Sequence, residues 1–256
     1  MKSQVASDIP VHGQFIRGDK LKSQKYLEQI NDWTESHKMV ISEKKTKAMI
    51  FNFTDNSRFT TRLQLKGNNI EIVDKMKILG TIVNDRLSWD DNCGLLIKKV
   101  NDRMRLLRGV QSFGTSVEEM VHLWILFCRS VIEQSCVVWG TSLTQENIDD
   151  LERTQKTFAK LVLREKYKDY ENALLILNLD SLQKRRQDMC LKFAKSGIKN
   201  GKLNDLFPVN EKTHKMKTRD DEKYKVQFAN TDRLKNASII TMQNMLNDDA
   251  KTNEKH

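Results

Sequence analysis

Four Asp-Asp pairs, Asp90-Asp91, Asp149-Asp150, Asp220-Asp221 and Asp248-Asp249, are the residues whose type and spacing could do chemistry. Carboxylates brought together on neighbouring strands can hold two divalent ions about 4 Å apart and align a hydroxyl with a triphosphate. None of the four pairs stands between two apolar strands with an aromatic residue two positions before it. Each is read more simply as a helix cap or a tail charge. Phe53-Thr54-Asp55-Asn56 does sit at the end of a strand-like run, but Asn56 takes the place of a second acid. The histidines His12, His37, His122, His214 and His256 are scattered, no glycine-rich phosphate loop occurs, and no Ser or Cys lies in a nucleophile signature. No catalytic residue and no metal site is therefore assigned.

Cys93, Cys128, Cys136 and Cys190 show no CxxC spacing, and two of them fall within strongly apolar runs. That suits buried reduced thiols better than metal ligands or disulfides, and an intracellular chain, in nucleus or cytoplasm, is the expectation. No apolar stretch follows Met1-Lys2, and the most hydrophobic run, residues 121–138, is broken by His122, Arg129, Glu133 and Gln134. Neither a signal peptide nor a membrane span is read.

Binding chemistry is better marked. The chain has 44 Lys+Arg against 34 Asp+Glu, a formal charge of +10 and a pI near 9.3. This is the footprint of a polyanion binder, or of a surface solvated by lysine. Locally, Lys98, Lys99, Arg103, Arg105 and Arg108 are opposed by one acid, Asp102, while Leu96, Val100, Met104, Leu107 and Val110 recur at spacings of four and three. The segment reads as a helix with an apolar side and a basic side, the best local candidate for contacts to a phosphate backbone. A merely solvated basic face has the same pattern.

The elements that must position these residues follow from period and breakers. Only 2 prolines and 10 glycines in 256 residues argue against an all-β sandwich and for long helices. Residues 1–20 have no apolar period and carry Pro10, Gly13 and Gly18, so they read as loop. Residues 21–37 repeat Leu21, Leu27, Ile30 and Trp33 near helical spacing, with Asp19 as N-cap. A strand is expected over 46–53, a hairpin of 62–66 with 70–73 around Gly67-Asn68-Asn69, and a further apolar strand over 76–83. One helix on about four strands makes an α+β layer.

Beyond Asp91 the patterns are helical. Ser116 with Glu119 forms a capping box before a run, 117–132, that is apolar nearly all round and reads as a buried central helix with Trp124 and Phe127 in the core. Further helices are expected over 146–164, with Ile148, Leu151, Phe158 and Val162 on one stripe, and over 182–194 after an Asp180 cap. Gly197 and Gly201 close that series, and residues 207–256 are polar with short apolar islands.

Several of these words stand in an order that resembles the reverse transcriptases of non-LTR (LINE-type) retrotransposons, over roughly residues 21–246. Leu27, Ile30 and Trp33 match a Leu-x-x-Ile-x-x-Trp helix. Ile41-Ser42-Glu43-Lys44-Lys45-Thr46-Lys47 stands where the family has Leu-Asn-x-x-Lys-Thr-Lys, with Ser42 in place of Asn. Lys77-Ile78-Leu79-Gly80 looks like the primer grip, a tight hairpin. Leu87-Ser88-Trp89-Asp90-Asp91 resembles the entry to the thumb, with Asn92 where His commonly follows. Val138-Trp139-Gly140, Leu151 with Thr154-Gln155-Lys156, Lys217-Thr218-Arg219 and residues 242–247 are similar to words of the same C-terminal region.

The resemblance implies a parent reaction, RNA-directed DNA synthesis with magnesium and deoxynucleotides, and places this chain after the family's Asp-Asp box. It implies that Lys45 and Thr46 lie near the nucleotide phosphates, that Ile78, Leu79 and Gly80 form the primer grip, and that Lys98, Lys99, Arg103, Arg105 and Arg108 face the nucleic-acid backbone. The expected fold is α+β, mostly α. Its parts are an irregular segment 1–20, a small antiparallel palm remnant with one packed helix at 21–87, a thumb-like helical bundle at 88–201, and a partly disordered tail with one short helix at 202–256. The expected function is that of a polymerase fragment that holds RNA or an RNA–DNA duplex, lacks the catalytic Asp residues and any cofactor of its own, and could associate with the N-terminal part of the polymerase. A basic helical interaction module and the inert product of a decayed element are the alternatives.

Overall fold

The computed structural model describes residues 21–51, 63–210 and 223–253. Of these, 62% are helical and 9% lie in strands, so the fold is α+β and mostly α. The expected loop 1–20, the Asp19 cap, the Phe53 to Asn56 turn and the words at 217–221 lie outside the described residues. The chain divides into two compact units at Asn92/Cys93.

The first unit opens with α1 (Leu21–Ser36). Leu27 and Ile30 are half-buried and Thr34 is buried, its hydroxyl donating to the Asn31 carbonyl at 2.8 Å. Trp33, expected on the same stripe, is instead 52% exposed. The strand β1 (Lys47–Ala48) pairs in parallel with β4 (Glu71–Ile72), Lys47 opposite Glu71. Between them β2 (Gln64–Leu65) pairs with β3 (Asn68–Asn69), turning through Lys66 and Gly67, both left-handed at φ 52 and 83°. Gln24 of α1 clasps β2, its Nε2 donating to the Gln64 carbonyl at 2.9 Å and its Oε1 accepting the Gln64 amide at 2.9 Å.

Two expectations are corrected here. Among the described residues the strands form three separate two-stranded pairs, one of them parallel, where a single antiparallel layer was expected. Residues 76–83, one strand by their apolar pattern but a tight hairpin by the resemblance, are a hairpin: β5 (Lys75–Ile78) and β6 (Thr81–Asn84) pair antiparallel through a turn at Leu79-Gly80. Leu79 and Gly80 have φ 47 and 93°, the two positive values of a twist-matched two-residue hairpin turn.

The helix α2 (Asp90–Ser112) follows, with Leu96, Val100, Met104 and Leu107 buried on one stripe. Ser116 then caps α3 (Val117–Leu123): its hydroxyl accepts the Glu119 amide while Glu119 accepts the Ser116 amide at 2.9 Å. The helix passes into a π-helical stretch, Trp124–Arg129, and on into α4 (Ser130–Glu133). This run is not the buried central rod that its composition implies, because Leu126 and Phe127 face solvent. Trp124 alone of the expected pair is core, stacked on Phe158 at 4.7 Å and 15°.

The remaining helices are α5 (Cys136–Trp139), α6 (Gln145–Leu163), α7 (Tyr170–Leu177), α8 (Leu182–Lys199), α9 (Asp232–Lys235) and α10 (Ser238–Asn253). The cap of α8 is Ser181, whose hydroxyl accepts the Lys184 amide at 3.2 Å, and not Asp180, which pairs with the Lys184 ammonium at 2.7 Å. Within the region expected as a tail, the described residues include two helices and a packed cluster. α10 packs on α8 and α5, and Met242 and Leu246 share a buried cluster with Cys190, Ala194, Phe207 and Tyr224.

Candidate nucleic-acid interface

The basic side of α2 is built by the burial of its opposite side. With Leu96, Val100, Met104 and Leu107 turned inward, Lys98, Arg105 and Arg108 point outward and are exposed. Lys98 and Arg105 are seven residues apart, two helical turns, and Arg108 is one turn further on. Arg105 meets Asp102 at 3.8 Å with both groups mostly in water, a contact that neutralises little. Lys98 and Arg108 have no acidic partner among the described residues.

The other two members of the expected set are placed differently. Lys99 is half-buried on the flank. Arg103 is also half-buried, and its guanidinium donates to the Phe127 carbonyl in the π-helical stretch. Arg103 is thus turned toward the protein, and the outward basic row has three cations instead of five.

Lys45 and Thr46 lie in the first unit, in a turn that leads to β1. The Lys45 and Thr46 amides donate to the Ser42 carbonyl at 3.1 and 3.0 Å, and the Thr46 hydroxyl donates to the same carbonyl at 2.9 Å. Thr46 therefore uses its hydroxyl within the turn. Lys45 is exposed, with no acidic partner among the described residues. In the hairpin, Ile78 is half-buried opposite Thr81 and Leu79 stands at the tip, 72% exposed. Lys77 is exposed beside it, and Lys75 is held by Asp91 at 3.0 Å.

Most described Asp side chains of these pairs are engaged within the protein. Asp90 accepts the Ser88 hydroxyl and Asp91 holds Lys75. Asp149 accepts from Gln145 at 2.9 Å, Asp150 pairs with Arg153 at 2.6 Å, and Asp249 pairs with Lys195 at 2.7 Å. Among the described residues no three His, Cys, Asp or Glu side chains converge to hold a metal ion. These donors do not fit a two-magnesium centre.

Other groups stand outside the expected site residues. Tyr26 and Trp33 are exposed on α1, and His37 stacks on Trp33 at 4.3 Å. In the second unit Glu152 is buried, accepting the Tyr170 phenol at 2.5 Å and the Gln183 amide at 2.7 Å, and burial, then the hydrogen bond to Glu152 and its charge, pushes the Tyr170 phenol well up. Arg186 is 2% exposed, and burial lowers its affinity for a proton against the opposing pull of Glu152. All four cysteines are free and buried. Burial pushes the thiols of Cys128 and Cys190 up to about 11 and that of Cys136 up to about 12. No described helix is long and apolar enough to cross a membrane. No family model, no curated protein and no solved structure matches this chain.

Proposed function

We propose that this chain is the palm-end and thumb-like part of a non-LTR retrotransposon reverse transcriptase and that it holds RNA or an RNA–DNA duplex inside the cell. The observation that carries the reading is the outward row Lys98, Arg105 and Arg108 on α2, with its apolar side buried and one long, solvated contact to Asp102. It is supported by the order of the motifs along the sequence and by the net charge of +10. In this reading Lys45 approaches the nucleotide phosphates, the Ile78-Leu79-Gly80 turn approaches the primer, and the parent enzyme's magnesium would be held by carboxylates other than those described. By itself the chain binds and does not polymerise.

The test is the salt dependence of binding to a labelled RNA–DNA duplex. Each neutralised phosphate contributes a slope of roughly −0.7 to −0.9 in log affinity against log salt. Replacing Lys98, Arg105 and Arg108 together by Glu is expected to remove about three contacts and flatten the slope by about 2 to 3. A wild-type slope near zero would rule the reading out. A second reading, a helical interaction module, is favoured by the exposed Leu106, Phe113, Leu126 and Phe127. It requires a partner whose binding is insensitive to salt and lost on Phe113→Asp.

A further inference from the structure

The stripe that α1 leaves in water is aromatic. Tyr26 is 47% exposed and Trp33 52% exposed, seven residues apart and so on one side of the helix, about 10 Å from each other along its axis. His37, four residues after Trp33, lies on the indole at 4.3 Å between centroids and 29° between planes. The ring is held there through Nδ1, which lies 2.8 Å from the Trp33 carbonyl and 3.0 Å from the Ser36 hydroxyl. Ser36 braces the same corner, its hydroxyl donating to the Trp33 carbonyl at 2.7 Å. The plate is therefore held in place before any ligand arrives.

Cations bracket it. Lys25 precedes Tyr26 and Lys38 follows His37; both are exposed, and among the described residues neither has an acidic partner. Of the three acids of α1, Glu35 is engaged by Lys66 at 3.2 Å and Glu28 accepts from Gln24 at 3.0 Å, while Asp32 is exposed beside Trp33 on the flank that carries Lys25. A flat aromatic surface flanked by unpaired lysines, in a chain of net charge +10, complements a ligand that carries both π-faces and phosphates.

We propose that Tyr26, Trp33 and His37 form a stacking platform for the unpaired bases of a single-stranded nucleic acid, with Lys25 and Lys38 meeting its phosphates. The inference deepens the nucleic-acid reading above and rests on it for the class of polymer. It adds a single-strand site in the first unit, distinct from the duplex-facing row on α2. The 10 Å between Tyr26 and Trp33 equals about three base steps of 3.4 Å, so one short strand can meet both rings. Stacking reads the face that every base shares, so the site distinguishes paired from unpaired bases rather than one base from another.

The four tryptophans make the test direct, because Trp89, Trp124 and Trp139 are buried and solvent-accessible emission comes from Trp33. The full chain is titrated with an oligouridylate 12-mer, an abasic sugar-phosphate 12-mer and a 12-bp RNA–DNA duplex. Oligouridylate is expected to quench the Trp33 emission and the abasic strand to leave it unchanged. Trp33→Leu is expected to weaken oligouridylate about tenfold while duplex affinity stays within twofold, and Trp33→Phe to restore most of the loss. The variant with Glu at 98, 105 and 108 is expected to keep the quenching, so failure of the α2 reading and failure of this one give different results. The proposal is overturned if oligouridylate leaves the emission unchanged, if the abasic strand quenches equally, or if Trp33→Leu alters only self-association.

Discussion

Gln155 accepts the indole N–H of Trp124 at 3.2 Å, and both side chains are fully buried. The same amide donates to the Asp180 carbonyl at 2.9 Å and to the Tyr170 oxygen at 3.0 Å, and Tyr170 donates onward to Glu152 at 2.5 Å. One chain of hydrogen bonds thus ties α6 to the π-helical stretch, to α7 and to the segment entering α8.

Gln155→Leu removes the centre of that chain and leaves the buried indole N–H without a partner, while the carbonyl of the exposed Asp180 can turn to water. A loss of about 1–3 kcal/mol, the cost of one stranded buried group, is expected in urea unfolding. A change under about 1 kcal/mol would mean that water replaces the amide and that the network is not structural.

The helix α10 is a second place where a side-chain deletion is informative. Leu246 is buried with Met242, Phe207 and Tyr224 against Cys190 and Ala194 of α8. Leu246→Ala is expected to cost about 2–5 kcal/mol, as for a leucine in a packed core. A disordered tail would lose nothing, so an unchanged urea midpoint would return residues 238–253 to that description.

Thiol protonation sets an alkaline limit. Cys128, Cys136 and Cys190 hold their protons to about 11, 12 and 11 in the folded chain, against about 8.5 when unfolded. Between those values the unfolded chain binds fewer protons, so stability falls as pH rises. Tm is expected to be flat from pH 6 to 8 and to drop steadily above about 9, and Cys136→Ala is expected to shallow the drop. The same burial predicts that a thiol reagent at pH 7.5 labels none of these three cysteines until denaturant is added. Fast labelling of the native chain would contradict their placement.

How much of this was legible varies by element, for physical reasons. The stripe of α2 and the capping box at Ser116 and Glu119 were readable because each depends on residues within a turn or two of one another. Trp33 was misplaced because a helical stripe is wider than a packed one: Thr34, satisfied by the Asn31 carbonyl, takes the inward position beside it. α7 was not foreseen, although Asp169 caps it, its carboxylate accepting the Asn172 amide at 2.7 Å. The extent of α10 was hidden by its Asn and Gln residues, which composition assigns to water. Asn247 instead accepts the Tyr224 amide at 2.8 Å and donates to the Tyr224 carbonyl at 3.0 Å, while Gln243 accepts the Gln227 amide at 3.1 Å. These side chains serve backbone groups of an irregular segment, a use that no periodicity announces.

Arg103 and Arg105, two residues apart in a basic run, are expected to behave as different kinds of residue. Arg105 is exposed, and its contact with Asp102 is long enough to leave the charge available; Arg103 is half-buried and donates to the Phe127 carbonyl. Arg105→Gln is expected to weaken duplex binding a few-fold, to lower the salt slope by about 1, and to leave the urea midpoint unchanged. Arg103→Gln is expected to do the reverse, costing about 1–2 kcal/mol of stability through the lost charge-assisted bond while the salt slope stays as it was. Measuring both quantities for both variants separates a cation that meets the ligand from one that closes the fold, and equal effects of the two substitutions on the slope would show that the turn of Arg103 toward Phe127 does not persist when nucleic acid is bound.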